Sequence, residues 1–254
     1  MIARLTSLLF VFSALETIAF LAPKTTLSTT IDKHRTFLPT AKNGCLNLHT
    51  LYASDRHKNF AKMLPKAIIF DLDGCVWAPE MYQLMYGSPF KKDPENIPDM
   101  LTCNNQPVRL LGDIRNIFEE LYTQECFDGV KIGISSRTDE PDWARELLSK
   151  FEVTVNEKSQ PIHLINIFNG PVEIAKDSKK AHFRRIHAKT GINYEDMLFF
   201  DNEFGNCDQI AFMGVSVVYC PDGVTRKLWD MGLHDEFPRS DGSVINGDQG
   251  LFRW

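Results

Sequence analysis

The chain has 254 residues, which is enough for one large domain with extensions. Its hydrophobic content of 43% and charged content of 24% are ordinary for a globular protein. The formal net charge of -5 gives no sign of bulk nucleic-acid binding, so we expect no nucleic-acid partner. The six cysteines are scattered without a CxxC pair, which argues against a zinc site and against a dense disulfide framework.

Residues 1–62 differ in composition from the rest of the chain. Arg4 precedes an apolar run at 8–12, but Glu16 interrupts the apolar stretch, so the segment is too short and too broken to span a membrane. The following stretch is basic, rich in Thr and Ser and poor in acids, which is a targeting composition. The step at 19–23 resembles the signal–transit junction of proteins sent to the complex plastids of algae. We therefore expect a plastid destination, with another organelle, the secretory route or the cytoplasm as alternatives; an N-terminal helix packed on the domain is the structural alternative.

The folded domain is expected to begin near Met63, where short apolar runs start to alternate with helical patterns. This alternation predicts an α/β fold, a parallel sheet with helices on both faces. The predicted strands are 67–70, 130–135, 162–168, 197–200 and 215–219. The predicted helices are 111–121, a helix opened by Pro141, 178–190, a short helix through Ile210 and Phe212 to Gly214, and 225–231.

Two segments do not follow the alternation. Residues 78–110 are polar and contain proline, and we interpret them as a small cap inserted over the strand ends, where insertions commonly shape access to a site. The domain is expected to end near residue 236. The polar, Gly-rich tail at 237–254 could be loose or could dock through its aromatic residues.

Two aspartates follow the first predicted strand, one residue apart. Asp71 and Asp73 come directly after the apolar run 67–70. Side chains alternate along a strand, so both carboxylates can point to its carboxyl end, where open α/β sheets bind their ligands. Two bare carboxylates this close repel each other, and a divalent cation would remove that cost because it favours oxygen ligands. The alternative is a strand that ends in a solvated acidic turn.

Polar residues also follow two other predicted strands. Ser136 and Arg137 follow the second strand, Asp201 and Asn202 follow the fourth, and Lys179 starts the helix between them. Parallel strands bring their carboxyl ends to one edge of a sheet, so these groups and the two aspartates could meet. Together they offer a nucleophile, an acid or base, a metal cage, a phosphate-binding hydroxyl and two cations. Taken alone, Ser136 could cap the next helix, Arg137 could form a surface ion pair, and Lys179 could be solvated.

These motifs, in this order, resemble the haloacid dehalogenase superfamily of aspartate-nucleophile phosphohydrolases, and within it the magnesium-dependent phosphatase-1 family. The resemblance covers roughly residues 64–223. The matching segments are Phe70-Asp71-Leu72-Asp73 with Trp77, Pro89-Phe90 with Lys92, Ser136-Arg137-Thr138, Glu173-Ile174 with Ser178-Lys179, His182-Phe183, Lys189-Thr190-Gly191, and Phe199-Phe200-Asp201 with Glu203 and Asn206. The family implies a Rossmann-like fold with a small cap.

The resemblance also implies the chemistry of the carboxylates. Asp71 would attack the phosphorus and become an aspartyl-phosphate, which splits a hard hydrolysis into two steps. Asp73 would protonate the leaving oxygen and then activate the hydrolytic water. The implied cofactor is Mg²⁺, held by Asp71, by the Leu72-Asp73 region, and by Asn202 or Asp201 at the end of the fourth strand.

The remaining site residues would bind the substrate. Ser136 would hydrogen-bond a phosphoryl oxygen, and Arg137 would add a forked donor for phosphate or a substrate carboxylate. Lys179 would act catalytically and in binding, because it offsets the negative charge of Asp71 and the phosphate. Leu72 and Trp77 are also expected at the substrate, with Trp77 in the loop over the site.

Three positions depart from the family pattern. Cys75 stands where the family commonly has Thr, and since a thiol is a weaker hydrogen-bond donor, the loop is expected to be less rigid. Gly74 stands where the family often has a bulkier residue. The fourth motif reads Asp201-Asn202 where two acids are typical. Asn202 can bind Mg²⁺ through its amide oxygen, as in the related carboxy-terminal-domain phosphatases, so we favour it as the ligand and expect Asp201 to orient water or Lys179.

The resemblance implies a Mg²⁺-dependent phosphomonoester hydrolase, expected to be a monomer. The modest cap implies an open site, which suits phosphoproteins, including phosphotyrosine, as well as small sugar phosphates. One alternative is a non-catalytic phosphate-binding relative with a regulatory role, suggested by Cys75 and Asn202. Another is a different superfamily reaction, either phosphoryl transfer or dehalogenation. Asp73 disfavours dehalogenation, which has no oxygen leaving group to protonate.

Overall fold

The structure is a computed structural model that describes residues 63–95, 97, 100–154 and 160–247. The predicted presequence at 1–62 lies outside the described residues, so the targeting interpretation stays a prediction. Within the described ranges, no helix has both the length and the apolar composition needed to cross a bilayer.

Short strands and helices alternate along the described chain. The strands are β1 (Ala67–Phe70), β2 (Trp77–Ala78), β3 (Lys91–Lys92), β4 (Met100–Cys103), β5 (Gln106–Leu110), β6 (Lys131–Ser136), β7 (Glu152–Val153), β8 (Ile162–His163), β9 (Val172–Ile174), β10 (Met197–Asp201), β11 (Ser216–Tyr219) and β12 (Val244–Asn246). The α-helices are α1 (Ile114–Thr123), α2 (Pro141–Lys150), α3 (Lys179–Thr190), α4 (Phe204–Ala211) and α5 (Arg226–Asp230).

A parallel sheet forms the centre of the domain, in the order β12-β11-β10-β1-β6-β9. All four residues of β1 are buried, because this strand lies between β10 and β6 and is covered on both faces. Such a strand must be apolar throughout, which is why the run 67–70 could be recognised as a strand in the sequence. The α/β fold with a Rossmann-like parallel sheet is therefore confirmed.

Aromatic side chains pack on both faces of the sheet beneath the site. On one face, Phe70 stacks on Phe200 at 5.3 Å and meets Phe118 edge-on at 5.3 Å. On the other face, Phe183 of α3 meets Phe199 of β10 edge-on at 4.9 Å. Aromatic pairs of this kind add stability beyond the area they bury. The ends of β1 and β10 are thereby held rigidly, and so are the polar residues that follow them.

The predicted third strand is wrong in position. Within 162–168, β8 contains only two residues and pairs with β7 in a separate antiparallel sheet. A 3-10 turn at Leu164–Asn166 follows. Leu164 and Ile167 are buried while Ile165 is exposed, so the apolar residues have the spacing of a helical turn rather than the alternation of a strand. The strand that joins the central sheet is β9, which pairs with β6.

The segment after residue 236 also contributes to the sheet. Residues Val244–Asn246 form β12, which pairs in parallel with β11 at the edge of the sheet. Phe237 is buried as well, with 9% of its surface exposed. The predicted domain end near residue 236 therefore leaves out β12, which is part of the central sheet. Residues 248–254 lie outside the described part of the chain.

The predicted insertion at 78–110 forms a small antiparallel sheet, in the order β2-β5-β4-β3. Its first strand, β2, begins four residues after Asp73, and its last strand, β5, returns the chain to α1. The cap is thus attached directly to the loop that carries the two aspartates.

Helix α3 begins at Lys179 and is fixed at two places. Ser178 caps the helix by accepting a hydrogen bond from the Ala181 amide at 3.2 Å. Further along, Arg185 and Lys189 each donate to the Glu173 carboxylate on β9 at 2.6 Å. These contacts tie the helix to the neighbouring strand and so fix the position from which Lys179 reaches the sheet.

Candidate active site

The central strands deliver three polar residues to one edge of the sheet. β1 ends at Phe70, and Asp71 continues its pairing by donating its amide to the Phe200 carbonyl at 2.9 Å. On one side, β10 ends at Asp201, and on the other side β6 ends at Ser136. Asp71 is 6% exposed, Ser136 is 1% exposed and Asp201 is fully buried. The structure thus brings these strand ends together at one edge of the sheet, as the sequence predicts.

Lys179 joins the three strands. Its ammonium nitrogen donates to Asp71 Oδ1 at 2.7 Å and to the Ser135 carbonyl at 2.5 Å, and it lies 3.0 Å from Asp201 Oδ2. Desolvation alone would lower the pKa of Lys179, but the two carboxylates outweigh it and raise that pKa, so the side chain stays charged. Its three hydrogens match three acceptors, so an incoming phosphate would have to displace one of them. The geometry therefore fits its predicted role of neutralising Asp71 better than a direct phosphate contact.

Asp73 lies at the boundary between the core and the cap. Its Oδ1 accepts from the Trp77 indole nitrogen at 2.7 Å, and its Oδ2 accepts from the Met81 amide at 3.2 Å. Burial raises the pKa of Asp73 above its usual range, although these donors and the Thr138 side chain act in the opposite direction. A raised pKa is what a carboxyl group needs if it is to supply a proton near neutral pH.

The prediction that Trp77 contacts the substrate needs correction. Trp77 is fully buried, and its indole nitrogen bonds Asp73 instead. Leu72 is also fully buried, and its carbonyl accepts the amides of Cys75, Val76 and Trp77 at 2.7 to 3.2 Å. Only the backbone N–H of Leu72 is left for a ligand. The tight turn explains both results, because it folds the side chains of 72 and 77 into the core.

Ser136 has the features of a phosphate-binding hydroxyl. Its Oγ is buried and has no hydrogen-bond partner among the described residues. The alternative that it caps the following helix is excluded, because α2 begins after Glu140. A buried hydroxyl without a partner is costly unless a ligand satisfies it. Arg137 next to it is exposed, and its NH1 donates to Asn206 Oδ1 at 3.2 Å.

The two residues at the end of β10 have different surroundings. Asp201 Oδ1 accepts from the Glu203 amide at 2.7 Å, and its Oδ2 lies 3.0 Å from the Lys179 nitrogen as an ion pair. Asp201 Oδ2 and Asn202 Oδ1 are both buried without a hydrogen-bond partner among the described residues. The ion pair places Asp201 as a partner of Lys179, and the neutral Asn202 amide remains the ligand position that we favour.

The residues at this edge fit a hard divalent cation. The carboxylate oxygens of Asp71 and the amide oxygen of Asn202 are the ligand type that such ions prefer, and Mg²⁺ usually keeps several waters as well. The described residues contain no cluster of three or more His, Cys, Asp or Glu side chains arranged to hold a metal. Both carboxylate oxygens of Asp73 already accept hydrogen bonds, so the fit depends on Asp71 and on the amide oxygen of Asn202.

Gly74 is required by the close approach of the nucleophile loop to Asn202. Its φ is +74°, and a Cβ at this position would lie 2.2 Å from Asn202 Nδ2. Cys75 after it points away from the site: its Sγ lies 3.4 Å from Cys220 Sγ and 3.6 Å from the Phe200 carbonyl. Backbone hydrogen bonds to the Leu72 carbonyl hold the turn. The lower rigidity of the loop that the Cys75 thiol predicts is therefore not seen in its hydrogen bonding.

Replacement of Gly74 by alanine is therefore expected to destabilise the protein more than replacement of Gly191 by alanine. Gly191→Ala is the matched control, because Gly191 has a φ of +69° but no atom within 4 Å of the added Cβ. Both variants bear the strain of a positive φ, about 1 kcal/mol, and only Gly74→Ala adds the collision with Asn202. Thermal unfolding should show a clearly lower Tm for Gly74→Ala. Equal losses in the two variants would contradict this account of the loop.

Comparison with known proteins agrees with the geometry. The family model described as Acid Phosphatase matches residues 63–237. The chain belongs to this family. The HAD-like hydrolase superfamily protein of Schizosaccharomyces pombe is 31% identical over 152 residues, covering 60% of this chain and 83% of the relative. Magnesium-dependent phosphatase 1 of Homo sapiens is 30% identical over 170 residues, covering 67% of this chain and 86% of the relative. The predicted membership in the haloacid dehalogenase superfamily is confirmed.

A solved structure of a Had-superfamily hydrolase from Ehrlichia chaffeensis is also similar, with a TM-score of 0.43 and 12% identity over 66% of this chain and 94% of that chain. This similarity is too low to bear on the function of the acid phosphatase family member described here.

Several residues of this acid phosphatase family member were missed as site residues. The Thr138 side chain acts to lower the pKa of Asp73, and Asn206 donates to Glu203 Oε2 at 2.7 Å while it accepts from Arg137. Both lie in segments that resemble the family, but a single sequence does not tell which polar side chain in a loop turns inward. His182 bonds Ser135 Oγ through Nδ1 at 3.1 Å, and burial lowers its pKa to about 4, so it stays neutral behind Lys179.

Proposed function

We propose that this chain is a Mg²⁺-dependent phosphomonoesterase that works through an aspartyl-phosphate on Asp71. The observation that supports this most directly is the combination at one sheet edge of a lysine-paired Asp71 with two buried oxygens that lack partners, Ser136 Oγ and Asn202 Oδ1. One unpartnered group is a donor suited to a phosphoryl oxygen, and the other is an acceptor suited to a cation. A non-catalytic core would gain nothing from leaving both unsatisfied.

In the first step, an Asp71 oxygen attacks the phosphorus, and the bond to the leaving oxygen breaks. Asp73 gives its proton to that oxygen, so the alcohol leaves neutral. Ser136 donates a hydrogen bond to a phosphoryl oxygen. Burial raises the pKa of Asp71 to about 8, and Lys179 acts against this rise, so its charge favours the ionised, attacking form and orients it. A bound Mg²⁺ would supply electrostatic stabilisation of the charge on the phosphoryl group.

In the second step, water attacks the phosphorus of the aspartyl-phosphate. Asp73, now ionised, takes a proton from that water, and the bond between phosphorus and the Asp71 oxygen breaks. The same carboxyl group thus serves as acid and then as base. The Asp71 carboxylate is then free to pair with Lys179 again, and inorganic phosphate leaves as the product.

The substrates we propose are phosphomonoesters, either phosphorylated small molecules such as sugar phosphates or phosphoproteins, including phosphotyrosine. The support for this range is the small cap: its antiparallel sheet is short, and Tyr82, Met85 and Tyr86, between β2 and β3, are exposed. Open sites accept larger leaving groups. A panel of sugar phosphates and phosphotyrosine peptides, assayed by phosphate release, would rank the two classes.

The proposed function is tested by trapping the intermediate. The full chain, stripped of metal, is mixed with ³²P-labelled p-nitrophenyl phosphate, whose leaving group needs no proton, with and without Mg²⁺ and quenched in acid. We expect label on the wild-type protein only with Mg²⁺, released by hydroxylamine as an acyl phosphate should be, and more label on Asp73→Asn because hydrolysis of the intermediate lacks its base. Turnover without any labelled protein, or turnover that does not need Mg²⁺, would contradict the proposal. Transfer of label to an added alcohol in preference to water would indicate a phosphotransferase.

A further inference from the structure

Asp73 is held by two hydrogen-bond donors from the cap. The Trp77 indole N–H donates to its Oδ1 at 2.7 Å, and the Met81 amide donates to its Oδ2 at 3.2 Å. Each carboxylate oxygen therefore has a donor, and the plane of the group is fixed instead of rotating freely about the side-chain bond.

Trp77 is a rigid donor. It is fully buried, its backbone pairs with Leu110 across the cap sheet, and its ring stacks on Phe151 at a centroid distance of 6.1 Å. An indole N–H can only donate, and a buried donor without an acceptor costs about 1–3 kcal/mol. The ring cannot turn away from Asp73 without disturbing the first strand of the cap.

We propose that Trp77 is a positioning residue that aims the Asp73 carboxyl group at the leaving oxygen of the substrate. The inference rests on the proposed function, in which Asp73 passes its proton to that oxygen while the electron pair of the breaking P–O bond stays with it. Proton transfer needs the two oxygens about 2.6–3.2 Å apart, which a freely rotating carboxyl group would meet only part of the time. Trp77 has no exposed surface with which to contact a substrate, so its effect must pass through Asp73.

The test uses the full chain with Trp77→Phe, which keeps an aromatic ring against Phe151 but removes the donor. Trp229→Phe is the matched control, since Trp229 is also fully buried and its indole nitrogen donates to a different carboxylate, Glu120 Oε1, at 3.3 Å. Because Asp73 also serves as the base in the second step, the test measures the rate of the first step, as release of the leaving group in a single turnover with enzyme in excess. The substrates are p-nitrophenyl phosphate, whose leaving group departs without a proton, and an alkyl phosphate, whose leaving group requires one.

For Trp77→Phe we expect the rate of the first step on the alkyl phosphate to fall about 10- to 100-fold and that on p-nitrophenyl phosphate to fall less than about threefold. Trp229→Phe should leave the ratio of the two first-step rates at its wild-type level, even if it lowers Tm. A loss that is equal on the two substrates, or a shift of the ratio in Trp229→Phe as well, would overturn the inference, because either result would show a general structural effect.

Trp77→Leu, also apolar and without a donor, provides a second variant in case Trp77→Phe does not fold. It should shift the ratio of first-step rates in the same direction, and an unchanged ratio would overturn the role of Trp77. A readout that does not depend on activity is the ¹⁵N-labelled indole resonance of Trp77, identified by its absence in Trp77→Phe. We expect Asp73→Asn to shift this resonance and to leave that of Trp229 in place. A wild-type chain without phosphatase activity would refute the proposed function, whereas an unmoved Trp77 resonance would refute the contact itself.

Discussion

Asp71→Asn is expected to reduce phosphomonoester turnover by about 10³-fold or more, because an amide oxygen is a poor nucleophile and the covalent step disappears. The fold should survive the change. Asn keeps an acceptor for the Lys179 ammonium, which also retains Asp201 at 3.0 Å. Removing one buried charge also removes its desolvation cost, so we expect the free energy of unfolding to stay within about 1 kcal/mol of wild type.

Two further variants separate nucleophilicity from charge. Asp71→Glu keeps the carboxylate but displaces it by one methylene, so it should retain the ion pair and still lose most of the turnover. Asp196→Asn is the control, since Asp196 lies outside the site and pairs with the exposed Lys66 at 2.9 Å. It should have wild-type activity. The measurements are kcat with p-nitrophenyl phosphate and Tm for each protein; turnover by Asp71→Asn within tenfold of wild type would exclude the proposed nucleophile.

The positions of the main site residues could be predicted because they depend on backbone topology alone. An apolar run that stops at a polar residue marks the end of a buried strand, and parallel strands share that edge. This reasoning is sufficient for Asp71, Ser136 and Asp201, each of which ends or directly follows a strand of the central sheet. It also places Lys179 at a helix start, where Ser178 caps the helix.

Side-chain direction within the loops could not be predicted in the same way. Trp77 was expected at the substrate, but the turn after Leu72 directs its indole inward to Asp73. The choice between Asp201 and Asn202 as a ligand position also required coordinates, because it depends on which oxygen Lys179 and the Glu203 amide already occupy. Alternation along a strand gives no information once the strand has ended.

The two errors in the sheet have a related cause. Residues 162–168 are apolar enough for a strand, but only their periodicity distinguishes a strand from the turn that they form. β9 and β12 have three residues each, so neither is long enough to produce a recognisable alternation. Both are recognised only through their partners, β6 and β11, which are separated from them in sequence. Pairing between distant segments is the information that a single sequence lacks.

Lys179→Met should have the largest effect on stability. The ammonium is 1% exposed and lies 2.7 Å from Asp71 and 3.0 Å from Asp201, two carboxylates that are themselves almost fully buried. Methionine fills similar space but leaves both carboxylates without a cation. Removing one partner of a buried pair costs about 3–5 kcal/mol, which corresponds to a drop in Tm of roughly 10 °C for a domain of this size. Turnover should be lost as well, since Asp71 would no longer be held ionised and in place.

Lys66→Met provides the matched control, because the Lys66–Asp196 pair has a similar length of 2.9 Å but the lysine is 65% exposed. We expect that variant to change stability by no more than about 0.5 kcal/mol, since water solvates either partner when the other is removed. Comparable losses in the two variants would mean that burial does not govern the Lys179 pair.

A second change should recover part of the loss. In Lys179→Met with Asp201→Asn, one of the two uncompensated charges is gone, so Tm should rise above that of Lys179→Met alone. Activity should not return, because Asp71 still lacks its cation. Recovery of stability without recovery of turnover would show that the lysine has two separable roles, as the partner that permits two carboxylates to be buried at one sheet edge and as the group that keeps the nucleophile charged. If the double variant is no more stable than Lys179→Met, the repulsion between Asp71 and Asp201 is not what the ammonium offsets, and its contact with the Ser135 carbonyl, at 2.5 Å, becomes the main stabilising interaction.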